Sequence, residues 1–171
     1  DIKHLLACNP IDPVYRGHWP LVPVAPAPLR WIAFDGGPAD IGHQGDTGFA
    51  FDNETPRHTV LLTPHALANR PVTHGEWLAF MNDGGYTDPR WWMAAGWDWV
   101  RAQRIEAPLY WRRDGDPAQH GGWTNFTLHG RVPIDPHTPV VHISWFEADA
   151  YARWRAAQEG QPIRLPTETE W

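Results

Sequence analysis

The chain is short of several residue types, and each shortage narrows what it can be. Cys8 is the only cysteine, which excludes an intrachain disulfide and a cysteine-rich zinc site. It also favours a reducing compartment, so the expected location is cytoplasmic. Lys3 is the only lysine, and with 14 basic against 20 acidic residues the net charge is −6. Such a chain has no basic stripe for a phosphate backbone, and nucleic acid is not an expected partner. No apolar run approaches the ~18 residues of a membrane-spanning helix and no signal-peptide core opens the chain, so no membrane partner is expected.

What is abundant is tryptophan, proline and glycine: 12, 18 and 15 of 171 residues. Many turn-formers leave little room for long helices or a regular sheet. Large rings must then supply the core, since each buries a large area against irregular backbone. The composition predicts one irregular, tryptophan-packed α+β domain, and argues against doubly wound, barrel and helical-bundle architectures. Asp1 to Ala7 has helical spacing and is stopped by Asn9-Pro10. Residues 10–28 are proline-dense and are expected to form an extended linker, with the domain proper over 29–171. Strands are predicted at Arg30–Phe34, Arg57–Thr63, Leu109–Arg112 and Trp123–Leu128, with His65–Asn69 continuing the second beyond a bend. Gly42 to Gly48 is expected to be a loop without the spacing of a phosphate cradle.

Helix starts are the clearest local signal. Thr73 with Glu76, Ser144 with Glu147, and Thr167 with Glu170 match the capping box, in which two orphan backbone donors are satisfied reciprocally. The first pair predicts a helix from Thr73 to about Asn82, presenting Trp77, Phe80 and Met81. The second predicts one from Ser144 to about Gln158 that stops at Gly160 and buries Trp145, Ala148, Tyr151, Ala152 and Trp154. Short helices are expected between Pro89 and Val100. The third pair sits at the end of the chain which, with the missing start methionine, leads to the expectation of a fragment truncated at its C-terminus.

Candidate chemistry is sparse. Among the ten histidines none is spaced to hold a metal on one helix face. His137 and His142, five apart in an extended stretch, are expected on opposite faces of a strand. Asp52 with Glu54, and Glu168 with Glu170, read as structural pairs at turns and helix starts. Ser144 needs only its capping role, and Cys8 has no activator beside it in sequence. Trp91-Trp92 and Trp97-Asp98-Trp99 are expected in the core or in a pocket wall. Asn53-Glu54-Thr55 and Asn125-Phe126-Thr127 are glycosylation-type triplets of the kind that arise by chance.

Several strings taken together resemble a known superfamily. Phe51-Asp52-Asn53-Glu54-Thr55-Pro56-Arg57-His58-Thr59-Val60 and Arg70-Pro71-Val72-Thr73-His74-Gly75-Glu76-Trp77 resemble the opening of formylglycine-generating-enzyme-like domains. Pro139-Val140-Val141-His142-Ile143-Ser144-Trp145-Phe146-Glu147-Ala148 and Arg164-Leu165-Pro166-Thr167-Glu168-Thr169-Glu170-Trp171 resemble later strings of the same domains. The resemblance implies a C-type-lectin-like α+β fold. Phe80-Met81-Asn82-Asp83-Gly84-Gly85-Tyr86 with Trp91, Trp92 and Gly96-Trp97, then Ala107-Pro108-Leu109-Tyr110-Trp111, look like the ergothioneine-biosynthesis sulfoxide synthases, or hercynine oxygenases. Asp1-Ile2-Lys3-His4-Leu5-Leu6 with Asn9-Pro10 resembles the helix end that follows that family's H-x-x-x-H-x-E iron motif.

That likeness implies that residues 1–9 end a DinB-like helical bundle acting in cis, with the iron-binding histidine motif upstream of Asp1. It implies an Fe(II)- and O2-dependent enzyme joining cysteine or γ-glutamylcysteine to Nα-trimethylhistidine (hercynine). Its active-site tyrosine, and its thiol-binding arginine and aspartate, are expected beyond Trp171. No catalytic, substrate-binding or metal-ligating residue is therefore assigned within 1–171, and the isolated chain is expected to be inactive and free of iron. The alternatives are a formylglycine-generating oxidase using copper and two cysteines, a selenium-using relative, and a binding module on the same scaffold. The thiol donor, oligomeric state and host are left open by the sequence.

Overall fold

A computed structural model describes residues 2–18, 25–45 and 48–171. Asp1, part of the proline-dense segment (19–24) and two residues of the glycine-spaced loop (46 and 47) lie outside that description. The chain divides into two compact units, one of residues 1–26 with 71–164 and the other of 27–70 with 165–171.

The first unit is built on helices α1 (Ile2–Ala7), α2 (His74–Asn82), α3 (Ala94–Gln103) and α4 (Trp145–Glu159). The capping boxes place two of these starts where the sequence put them. Thr73 Oγ1 accepts from Glu76 N while the Glu76 carboxylate accepts from Thr73 N at 2.9 Å. Ser144 Oγ and Glu147 make the same exchange, with 2.6 Å from Ser144 N to Glu147 Oε2. Gly160 ends α4 at φ +62°, a left-handed conformation that glycine adopts without strain.

Between α2 and α4 lie a 3-10 turn (Pro89–Trp91), α3, and a three-stranded antiparallel sheet of β5 (Trp111–Arg113), β6 (Trp123–Thr127) and β7 (Gly130–Pro133). The sequence reading missed β7 because Arg131, Val132 and Pro133 carry no alternating pattern. Its partner β6 closes the hairpin through Thr127↔Gly130. Trp77, Phe80, Tyr86, Trp92, Tyr151 and Trp154 form the core, in which Trp77 stacks on Tyr151 at 5.2 Å. Polar ends of this core find partners. Trp92 Nε1 donates to Gly85 O and Trp154 Nε1 to Asp83 Oδ2, both at 2.7 Å. Trp145 breaks the expected burial pattern of α4: it is 58% exposed, and Glu147 and Ala150 are buried instead. In the first turn it is Phe146, not Trp145, that packs against the core.

The second unit contains two antiparallel ribbons. One pairs β1 (Trp31–Phe34) with β4 (His65–Ala68), the other β2 (Gly37–Ile41) with β3 (His58–Leu62). The residues expected to prolong the second predicted strand are thus a separate strand with its own partner. Segment 37–41 is a strand rather than a turn: Gly37 and Pro38 are weak strand formers, and pairing with β3 overrides them. Asn69 ties the first ribbon's end, its Oδ1 accepting from Arg30 N at 2.8 Å and its N donating to Arg30 O at 3.0 Å. At 167–170 the capping contact is present, Thr167 N to Glu170 Oε2 at 2.9 Å, on a single turn.

Candidate functional site

Backbone strain marks the most unusual place in the first unit. Tyr110 and His142 both have left-handed backbones, at φ +72° and +62°, a conformation rare outside glycine and asparagine. Leu109 N donates to His142 O at 3.1 Å, which locks the two segments together. Their rings meet edge to face with centroids 4.9 Å apart. The left-handed turn at His142 also corrects the sequence expectation. His142 and His137 do not share a strand, because residues 137–144 run as an irregular segment broken by one bridge, Thr73↔Pro139.

Helix α1 lies against this pair. Lys3 Nζ donates to His142 Nε2, and His4 Nδ1 lies 2.6 Å from the Tyr110 hydroxyl. Burial and the nearby Lys3 ammonium hold the His142 imidazole below its usual pKa. His74, in α2, is held down chiefly by burial and more weakly by the same Lys3 charge, against the raising effect of its contact with Asp135 O. Its Nδ1 sits 3.1 Å from that carbonyl, while its buried Nε2 has no partner in the structure. Lys3 is itself lowered by burial.

Beside the cluster runs an open groove of about 670 Å3, walled by Trp99, Ile105, Leu109, Trp111 and Trp123, with Arg104 among its lining residues. Glu147 closes one side. Its Oε1 accepts from the buried Tyr86 hydroxyl at 2.6 Å, and burial first, then the Glu147 carboxylate, drives the Tyr86 phenol well above its usual pKa. The groove combines aromatic walls with guanidinium and imidazole groups.

Other residues singled out from the sequence have structural occupations. Asp52 Oδ1 accepts from Asn53 N, and Glu54 Oε1 from Phe51 N, each at 3.0 Å. Ser144 caps α4. Cys8 is exposed, with Sγ 3.8 Å from His4 Nε2. Asn125 is buried on β6, so its triplet is closed to glycosylation, whereas Asn53 is exposed. Trp92 is core and Trp99 is groove wall. Sequence reasoning did not bring Lys3 to His142 or His4 to Tyr110, since these contacts span 139 and 106 positions and no spacing rule links them. Among the described residues no group of three or more His, Cys, Asp or Glu could hold a metal ion, so the residues present do not fit an iron centre.

With the irregular tryptophan-packed fold and its groove established, comparison with known proteins places the chain. The sulfatase-modifying factor enzyme 1-like domain family matches residues 25–171, and the chain belongs to that family. It is 40% identical to the hercynine oxygenase of Mycolicibacterium thermoresistibile over 126 residues, 74% of this chain and 25% of that protein. It is 39% identical to the hercynine oxygenase of Mycolicibacterium smegmatis over 82% of this chain and 30% of that protein. The formylglycine-generating enzyme of Streptomyces coelicolor is 32% identical over 82% of this chain and 45% of its own length. The chain thus spans 25% to 30% of the length of these two hercynine oxygenases. Among the described residues no helix is long and apolar enough to cross a membrane.

Proposed function

We propose that the chain is part of a hercynine oxygenase, an O2-dependent enzyme that joins a thiol to the imidazole of trimethylhistidine in ergothioneine biosynthesis. The observation that carries this reading is the gap between 40% identity to hercynine oxygenases and 32% to a formylglycine-generating enzyme. In this reading residues 1–9 end a DinB-like domain, 10–28 connect it, and 29–171 begin the lectin-like second domain. Fe(II) is held by histidines upstream of Asp1, and the catalytic and thiol-binding residues follow Trp171. The chain contributes part of the wall of the substrate pocket. The expected location is cytoplasmic, and the substrates are hercynine, cysteine or γ-glutamylcysteine, and O2.

The test is an assay on the protein encoded by the complete reading frame, supplied with Fe(II), hercynine and each thiol under air. Mass spectrometry is expected to find a hercynine–thiol sulfoxide with one of the two thiols. Absence of that product, with conversion of a sulfatase-derived cysteine peptide to formylglycine, would move the chain to the second enzyme. The 171-residue chain alone is expected to give neither product and to retain no iron after desalting.

A further inference from the structure

Residues 2–16 contain two kinds of attachment to the first unit. The later part, Asp12 to Arg16, is bound by contacts that protons do not disturb near neutrality. Asp12 accepts from Arg131 through both carboxylate oxygens, at 3.2 Å each, and from Arg112 at 2.9 Å. The Arg131 guanidinium first, with Arg112, holds the Asp12 carboxyl below its ordinary pKa. Tyr15 N and Arg16 N both donate to Leu128 O in the β6–β7 hairpin, at 3.0 and 2.9 Å. The earlier part, α1, is held differently. It buries Ala7, and its polar contacts reach His142 and Tyr110.

The Lys3 contact has a definite protonation requirement. An ammonium has only donors, so His142 Nε2 must offer its lone pair. A proton on that nitrogen sets donor against donor and cation against cation at contact distance. The other charged groups do not relieve this. From α1, His4 faces Tyr110. His74 of α2 is raised by Asp135, through its backbone carbonyl and its charge, and lowered more weakly by Lys3. Glu147 at the start of α4 is committed to Tyr86 and Ser144 N. Burial is what lowers Lys3.

We propose that α1 is a proton-sensitive latch, closed on Tyr110 and His142 while His142 is neutral and released, about an anchor at Asp12–Arg16, when His142 is protonated. Asp12, at φ +45°, begins the anchored part, beyond the end of α1 at Ala7. The sign follows from the geometry. The latched state excludes a proton that the released state accepts, so latching is complete above the ordinary histidine pKa of ~6.5 and is lost as pH falls below it. The inference rests on this chain's own contacts and does not depend on the proposed reaction.

The test is amide hydrogen exchange by NMR on the full chain at pH 7.5 and 5.5, with each rate normalised to its intrinsic value at that pH. The amides of Cys8 and Asn9, bonded to His4 O and Leu6 O, are expected to lose about tenfold or more in protection on acidification. Those of Tyr15, Arg16 and α4 are expected to keep theirs. His142→Gln, which retains an acceptor but cannot take the proton, is expected to keep α1 protected at both pH values. Lys3→Met provides a second variant: it should remove the acid-induced loss and raise the His142 pKa read from its ring resonances. Equal protection of Cys8 and Asn9 at both pH values would overturn the latch. So would an undiminished acid-induced loss in His142→Gln or Lys3→Met, or a parallel loss at Tyr15 and Arg16, which would report general unfolding.

Discussion

The two units solve the problem of stability differently. In the first, large rings face one another: Trp77 and Phe80 are 1% and 0% exposed, and Tyr86, Trp92, Tyr151 and Trp154 surround them. In the second, β1 is exposed along all four residues, and Trp31, Ile32, Phe34, Phe51 and Leu61 are all more than 40% exposed. Both units are rich in apolar residues, so composition does not separate them. Geometry does, because a two-stranded ribbon has too few neighbours to enclose its own side chains, and such ribbons are marginal on their own. The first unit is thus held mainly by side-chain burial, the second mainly by backbone pairing and polar ties such as Asn69.

The sharpest way to break that comparison is to truncate a ring in each unit. Phe80→Ala is expected to cost about 3–5 kcal/mol in denaturant unfolding, while Trp31→Ala costs less than about 1 kcal/mol. Similar losses from both would show that the second unit depends on its rings as the first does. Next comes the buried carboxylate. Glu147→Ala leaves the Tyr86 hydroxyl and Ser144 N without their acceptor, and a loss of about 2–4 kcal/mol is expected from the same measurement.

Gly85→Ala tests packing tightness, since an added Cβ would stand 2.6 Å from the Phe80 ring. Its expected cost is about 1–3 kcal/mol. Asn69→Ala, in the second unit, should cost about 1 kcal/mol and speed amide exchange in β1 and β4 without affecting α4. Another effect concerns alkaline pH. Burial, chiefly, pushes the Tyr151 phenol up to about 12. The folded state therefore keeps a proton that the unfolded chain releases near pH 10, and stability falls as pH rises from about 10 to 12. Tyr151→Phe is expected to flatten that part of the pH–stability curve.

Helix boundaries were the most legible part of the fold, because a capping box is a local exchange of hydrogen bonds written in four consecutive residues. Thr73 and Ser144 start α2 and α4 as their sequences predict, and Gly160 ends α4. The core rings of α2 were equally legible from their spacing. Strand β2 was not, since Gly37-Pro38 reads as a turn until β3 lies beside it. Trp145 was misplaced for a related reason: periodicity shows which residues share a face, but not where that face first meets the rest of the molecule.

What the sequence determined by itself was whatever depends on near neighbours or on composition: two capped helices, a tryptophan-packed irregular domain, and strings shared with the family to which the chain belongs. The tertiary structure alone decided which distant side chains meet. It placed Lys3 on His142 and His4 on Tyr110, and put Asp12 between Arg112 and Arg131. Contacts of that kind depend on where loops of irregular backbone bring each group, and loop paths are set by the sum of many weak packing choices rather than by any local pattern. The protonation state demanded of His142 belongs to that second class, because it exists only where an ammonium has been brought to an imidazole.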